Sequence, residues 1–174
     1  MSKNVPPALV RLNSMEPGQA EKEFLKCCGS GEWAKRMIVE RPFEDVDDLL
    51  SKADHVWRLL PPHDWLEAFH RHPKIGEKKP EHETSVEVQA WSEQEQSGIR
   101  DATLKTAEAM AVLNDVYEEK FGHIFIVCAT GKTSEEMLDI LRLRLGNNPE
   151  EELQRAADEQ AKITALRLKK LVET

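Results

Sequence analysis

Apolar residues recur along this chain at spacings of three and four, and the stretches that carry them are separated by proline and glycine. The clearest stripe is Val46, Leu49, Leu50, Ala53, Trp57 and Leu60. A helix of 3.6 residues per turn lines these up on one side, which predicts a helix over Asp45–Leu60, stopped by Pro61-Pro62. Ahead of it, Met15–Cys28 reads as a helix with Pro17 in its first turn and Gly29 just past its end. Ser30 is placed to cap a short helix through Trp33 and Met37, which breaks at Arg41-Pro42-Phe43. Trp65, Leu66 and Phe69 mark one more short helix. Residues 1–12, with Pro6 and Pro7, are expected to form a flexible start, and residues 13–174 the folded domain.

Beyond residue 80 the pattern changes. Pro80–Val88 is polar and aperiodic and reads as a loop. A long helix is predicted from near Ser92 to Lys120, with Ile99, Ala102, Thr106, Ala109, Leu113, Val116 and Tyr117 on its core face. Ile124–Ala129 is a continuous apolar run whose β-branched residues favour extended backbone. Without a second strand to pair with, it is expected to be a buried connection or a first helical turn. Thr133 with Glu136 three residues on is a capping box, opening a helix that ends at Leu145-Gly146. Asn148-Pro149 then starts a last helix over Glu150–Val172. The expected fold is all-α, a single compact domain of about seven or eight irregularly packed helices.

Composition narrows the function classes. A chain of 174 residues with 40% apolar and 32% charged residues suits one globular domain with its own core. A net charge of −8 and a pI near 5.3 speak against nucleic acid as partner, because phosphate binding asks for a basic face. An anionic small molecule stays possible, since one local arginine overrides the global sign. Cys27, Cys28 and Cys128 are an odd set with an adjacent pair, so no disulfide framework is indicated and a reducing compartment is expected. Met1–Leu12 lacks a signal-peptide core, no run approaches the ~18 apolar residues of a membrane span, and Leu171-Val172-Glu173-Thr174 is not a peroxisomal address. The expected location is cytoplasmic, with no membrane partner.

The candidate chemistry centres on Phe69–Lys79, where His70, His72, Pro73 and Gly76 close an apolar helical segment. Pro73 biases His72 away from helical backbone, and Gly76 permits a tight turn. Histidine exchanges a proton near neutral pH, its unperturbed pKa being roughly 6.5. A metal site would need His82 or Glu95 beside His70 and His72, and the zinc-protease pattern of two histidines four apart is absent. Ser92 and Glu95 read as a capping box, and the same first helical turn offers backbone N–H groups to an anion. Arg167 shares a face with Ile163 and Leu171, so it needs a carboxylate partner, with Glu95 one candidate, or an anionic ligand. Cys128 has no adjacent base and reads as a small core residue.

These residues fall in ordered blocks. His72-Pro73-Lys74-Ile75-Gly76, Ser92-x-x-Glu95-Gln96-x-Gly98, Leu113-Asn114-x-x-Tyr117-x-x-Lys120-Phe121-Gly122-x-x-Phe125-Ile126-Val127-Cys128-Ala129 and Ile163-x-x-Leu166-Arg167-Leu168 closely resemble the OHCU decarboxylase family. That family acts on 2-oxo-4-hydroxy-4-carboxy-5-ureidoimidazoline, an unstable intermediate between urate and S-allantoin. The resemblance spans nearly the whole chain and implies an all-helical, cofactor-free and commonly homodimeric enzyme of purine catabolism. It also implies site roles. The catalytic histidine falls on His72, with Pro73 beside the substrate. The site carboxylate falls on Glu95, within a substrate-binding block of Ser92, Glu93, Gln94, Glu95 and Gln96. The ring-contacting segment falls on Phe125, Ile126, Val127, Cys128 and Ala129, and the substrate-carboxylate ligand on Arg167. No metal belongs to this set.

Two rival readings remain at the level of sequence. One is a metal-assisted amidohydrolase built on His70, His72 and Glu95; the other is a helical interaction module without catalysis.

Overall fold

The protein is described by a computed structural model over residues 5–77, 85–99 and 103–173. Those residues contain nine α-helices and no strand, as the all-α expectation requires, with a helix or two more than the periodicity suggested. They gather into two compact units, one of residues up to Ala68 together with those from Ala161 onward, the other of Phe69–Gln160.

The first unit carries α1 (Pro7–Ser14), α2 (Pro17–Cys27), α3 (Gly31–Val39), α4 (Val46–Arg58) and most of α5 (Pro62–His70). α1 lies in the stretch expected to be flexible. Pro7 sits at its start, where a missing N–H costs nothing and a fixed φ helps. Ala8, Leu9 and Leu12 then bury one side of the helix. Ser30 and Asp45 cap α3 and α4, accepting from Trp33 N–H and Asp48 N–H. The stripe on α4 is buried at Leu49, Ala53 and Trp57, followed by Leu60, and Val56 joins it. α3 packs against α2 and α4. The core between them is aromatic: Phe24 stands edge-on to Trp33 and Phe43 at 5.8 and 6.2 Å between ring centres, and Trp33 Nε1 donates to Ala53 C=O at 3.2 Å.

The second unit carries α6 (Val86–Glu95), a 3₁₀ turn (Ser97–Ile99), α7 (Leu104–Phe121), α8 (Ser134–Arg144) and the first part of α9 (Pro149–Glu173). The single long helix expected from Ser92 is two helices. Ser85 caps α6 by accepting from Val88 N–H, and Thr103 caps α7 by accepting from Thr106 N–H. Ser92 therefore lies in the last turn of α6, and neither the capping box nor the anion-binding first turn exists there. Its spacing to Glu95 instead places both on one buried helix face. The break follows at Gly98, where a Cβ would stand 2.2 Å from the Lys132 carbonyl oxygen, an approach that only glycine permits. Val116, expected in the core, is 44% exposed, because α7 turns Met110, Asn114 and Tyr117 inward. Ala102 and the side chain of Ile99, from the same expected face, lie outside the described residues.

The capping box of Thr133 and Glu136 is present, and Asn148 Oδ1 accepts from Glu151 N–H at the start of α9. Ile124–Ala129 runs as a connection without regular structure, buried from Phe125 on. Phe125, Val127 and Ala129 pack with Ile75, Met110, Tyr117, Met137, Leu138 and Leu141 in the core of this unit. The alternation of side chains along this segment sends residues 125, 127 and 129 to one side, as extended backbone should. No helix among the described residues is long and apolar enough to cross a membrane.

Candidate active site

The turn that ends α5 is fastened on several sides. His72 N–H closes the last helical turn onto Phe69 C=O at 3.1 Å, after which Pro73 takes the chain away. Lys74 Nζ reaches Asp115 and Glu118 on α7 at 3.1 and 2.6 Å, and these carboxylates hold its ammonium well above the usual lysine range. Asn114 Nδ2 donates to Ile75 C=O at 3.3 Å, and Gly76 N–H, at a left-handed φ of 89°, donates to Gln96 Oε1 at 3.0 Å. A turn tied to α7 and to the end of α6 holds its first residue, His72, in a fixed place.

His72 is half-buried, and its Nε2 lies 2.7 Å from Oε1 of Gln160, a side chain with no exposed surface. Sequence reasoning missed Gln160. The signal was there: it falls on the buried face of α9, where Glu152, Ala156, Thr164 and Arg167 also turn inward. A polar residue on a core stripe needs a partner, and this holds for Gln160 as it does for Arg167.

The apolar segment is held by its backbone. Arg144 Nη1 donates to Ile126 C=O at 2.6 Å, Cys128 N–H donates to Glu159 Oε2 at 2.7 Å, and Lys132 Nζ donates to Cys128 C=O at 2.8 Å. Arg144 is fixed in turn: its Nε meets Glu152 Oε1 at 2.7 Å and its guanidinium lies 4.7 Å from the Phe125 ring centre. Glu152, itself fully buried, also accepts from Tyr117 Oη at 2.5 Å and Asn147 Nδ2 at 2.8 Å. Neither the N–H nor the C=O of buried Val127 has a partner among the described residues. Burial pushes the Cys128 thiol up; Lys132 pulls it down, and Glu159 and Glu95 both raise it, so these carboxylates act on the same segment. Cys128 is thus a neutral thiol.

Of the expected block on α6, Ser92 and Glu95 are buried, Glu93 and Gln96 are half-buried, and Gln94 is exposed. His70 is exposed at the end of α5. Among the described residues no three His, Cys, Asp or Glu side chains are arranged to hold a metal ion, and His82 lies outside them. Arg167 belongs to the first unit, where it is buried and its Nη1 donates to Lys26 C=O at 3.4 Å. Burial pushes the neighbouring Cys28 thiol up to about 12 and raises Cys27 further, against the lowering pull of Arg167.

The family model for OHCU decarboxylase matches residues 13–169. The chain belongs to the OHCU decarboxylase family. Within that family it is 41% identical over 159 residues to the uric acid degradation bifunctional protein TTL of Arabidopsis thaliana, covering 91% of this chain and 48% of that protein. It is 28% identical over 169 residues to a 2-oxo-4-hydroxy-4-carboxy-5-ureidoimidazoline decarboxylase of Halalkalicoccus jeotgali, covering 94% and 93%. A crystal structure of OHCU decarboxylase in the presence of (S)-allantoin superposes with a TM-score of 0.75 at 38% identity, over 87% of this chain and 98% of that one. The chain spans about half the length of the plant bifunctional relative and about a third or less of two Bacillus bifunctional relatives, at 32% and 27%. The family resemblance read from the four sequence blocks is therefore correct.

Proposed function

We propose that this chain decarboxylates 2-oxo-4-hydroxy-4-carboxy-5-ureidoimidazoline to (S)-allantoin and CO2 in urate degradation, without a cofactor. Family membership carries this reading, and the anchored His72 supports it, because the chemistry asks for a positioned proton donor. In this substrate the departing carboxylate sits on a carbon next to a ring C=N bond. When the C–C bond to the carboxylate breaks, its electron pair flows into that imine, leaving an enol-like intermediate and CO2. A proton delivered to one face of the former imine carbon then gives a single enantiomer. The substrate is its own electron sink, so the protein needs to supply orientation, partial desolvation and that proton.

In this proposal His72 is the proton donor or shuttle, beside Pro73, and Glu95 hydrogen-bonds the substrate and helps set the protonation of His72. Ser92, Glu93, Gln94 and Gln96 complete that side of the substrate. The segment Phe125–Ala129 holds the ring and ureido arm through its backbone. Val127 is the residue whose backbone polar groups are left for a ligand by the bonds at Ile126 and Cys128. Arg167 grips the substrate carboxylate through its planar fork. Residues 13–174 act as one catalytic domain, as a homodimer in the cytoplasm.

The test is a coupled assay in which urate oxidase and hydroxyisourate hydrolase generate the substrate in place. Loss of the intermediate faster than its spontaneous decay supports the reading, and a raised KM in Arg167→Lys supports the carboxylate contact. Decay at the spontaneous rate, or activity abolished by chelation and restored by zinc, would refute it.

A further inference from the structure

We infer that Gln160 is a positioning residue for His72, fixing the imidazole in its Nε2-protonated form and in one orientation while adding no charge to the site. The inference rests on the decarboxylase reading above. The pair is 88 residues apart in sequence, with His72 Nε2 at 2.7 Å from Gln160 Oε1. An amide oxygen only accepts, so in this pair the ring proton sits on Nε2. Which nitrogen of a histidine carries the proton is set by the hydrogen bond it makes, and Gln160, with no exposed surface, has no solvent to turn to instead.

The neighbouring residue makes the choice of an amide informative. α9 presents a carboxylate and a carboxamide side by side, Glu159 and Gln160. The carboxylate goes to the Cys128 backbone and the neutral amide goes to the imidazole. A carboxylate against His72 would stabilise the imidazolium and hold back the proton that the reaction needs, whereas an amide oxygen orients the ring without adding a charge. Other charged groups stand on the surrounding elements among the described residues. Lys74 in the same turn is paired with Asp115 and Glu118, Glu159 accepts from Cys128, Glu95 lies on α6, Asp158 precedes on α9, and His70 and Arg71 are exposed. None of these changes in the variants that follow.

Gln160→Glu keeps the length of the side chain and its helix propensity; Gln160→Leu removes the acceptor. In the coupled assay Gln160→Glu should move the pH profile of kcat upward by about one unit, as a carboxylate beside an imidazole does. Gln160→Leu should lower kcat about tenfold or more, with KM within about twofold, the mark of lost orientation rather than lost binding. Nitrogen-15 shifts of His72 should report the Nε2-protonated tautomer in the wild-type protein and a mixture in Gln160→Leu. A folded Gln160→Glu with an unmoved pH profile, or a wild-type His72 protonated on Nδ1 alone, overturns the inference. Should Gln160→Leu fail to fold, the wild-type tautomer and the Gln160→Glu profile still decide. An inactive wild-type protein defeats the decarboxylase reading, and the tautomer still judges the pair; an active one indifferent to both variants defeats the positioning role alone.

Discussion

Glu159 directs its buried carboxylate at the backbone of Cys128, accepting the amide proton at 2.7 Å, while Lys132 takes the carbonyl of the same residue at 2.8 Å. One residue of the apolar segment is thereby held from both ends of its peptide framework, and the position of Val127 beside it follows. Glu159→Ala should cost about 1.5–3 kcal/mol of stability, the range for a hydrogen bond to a charged group, and should raise KM as the segment loosens. Glu159→Gln, which keeps an acceptor oxygen, should lose less on both counts. Denaturant midpoints and initial rates check this. An alanine variant with wild-type KM would mean that the segment holds its shape without Glu159.

Arg144 and Glu152 form the buried pair that fixes Ile126, with Tyr117 and Asn147 completing the carboxylate's shell. Arg144→Met leaves a fully buried carboxylate without its counter-charge, and should destabilise the protein by about 3–5 kcal/mol. Combining it with Glu152→Gln should recover a large part of that loss, because the uncompensated charge is gone. Urea titration of the single and double variants distinguishes this from simple loss of packing, which the second change would not repair.

His123 sits among Phe69, Tyr117 and Phe121 at 5.4, 5.6 and 6.3 Å between ring centres, and its Nδ1 lies 3.0 Å from Ile124 C=O. Burial depresses its pKa below the ordinary 6.5, against the raising effects of the Ile124 carbonyl and Glu152. The unfolded chain therefore takes up the proton first, and this contribution to stability is full above the ordinary value and lost as pH falls through the folded one. The melting temperature of the wild-type protein should drop between pH 7.5 and 5.5 by more than that of His123→Phe, which keeps the ring packing. Parallel curves would show that other groups govern the acid side.

The sequence made the capped and striped helices legible because their signals are local. Ser30, Asp45 and the Thr133–Glu136 box act where periodicity predicts. It misled at Ser92, because a serine followed three residues later by glutamate also describes two neighbours on one helix face, and the true caps, Ser85 and Thr103, precede polar or weakly patterned turns. It misled at Pro7 for a related reason, since a proline that opens a helix looks like one that forbids it. Gly98 was visible as a motif residue, but its cause is a carbonyl 34 residues on, which no local pattern reveals. The same holds for the site. His72, Glu95 and the apolar segment stand out by motif and turn chemistry, whereas Gln160 and Glu159 matter through contacts across long sequence separations.

We propose that His72 delivers a proton to one face of the intermediate, a step that circular dichroism of the allantoin formed in the coupled assay reads out. The wild-type protein should give rapid formation of the S enantiomer. His72→Ala should stay folded, lose roughly 10²–10⁴ in stereospecific rate and leave a product that forms at the spontaneous rate without optical activity. Wild-type rate and handedness in His72→Ala would contradict the claim.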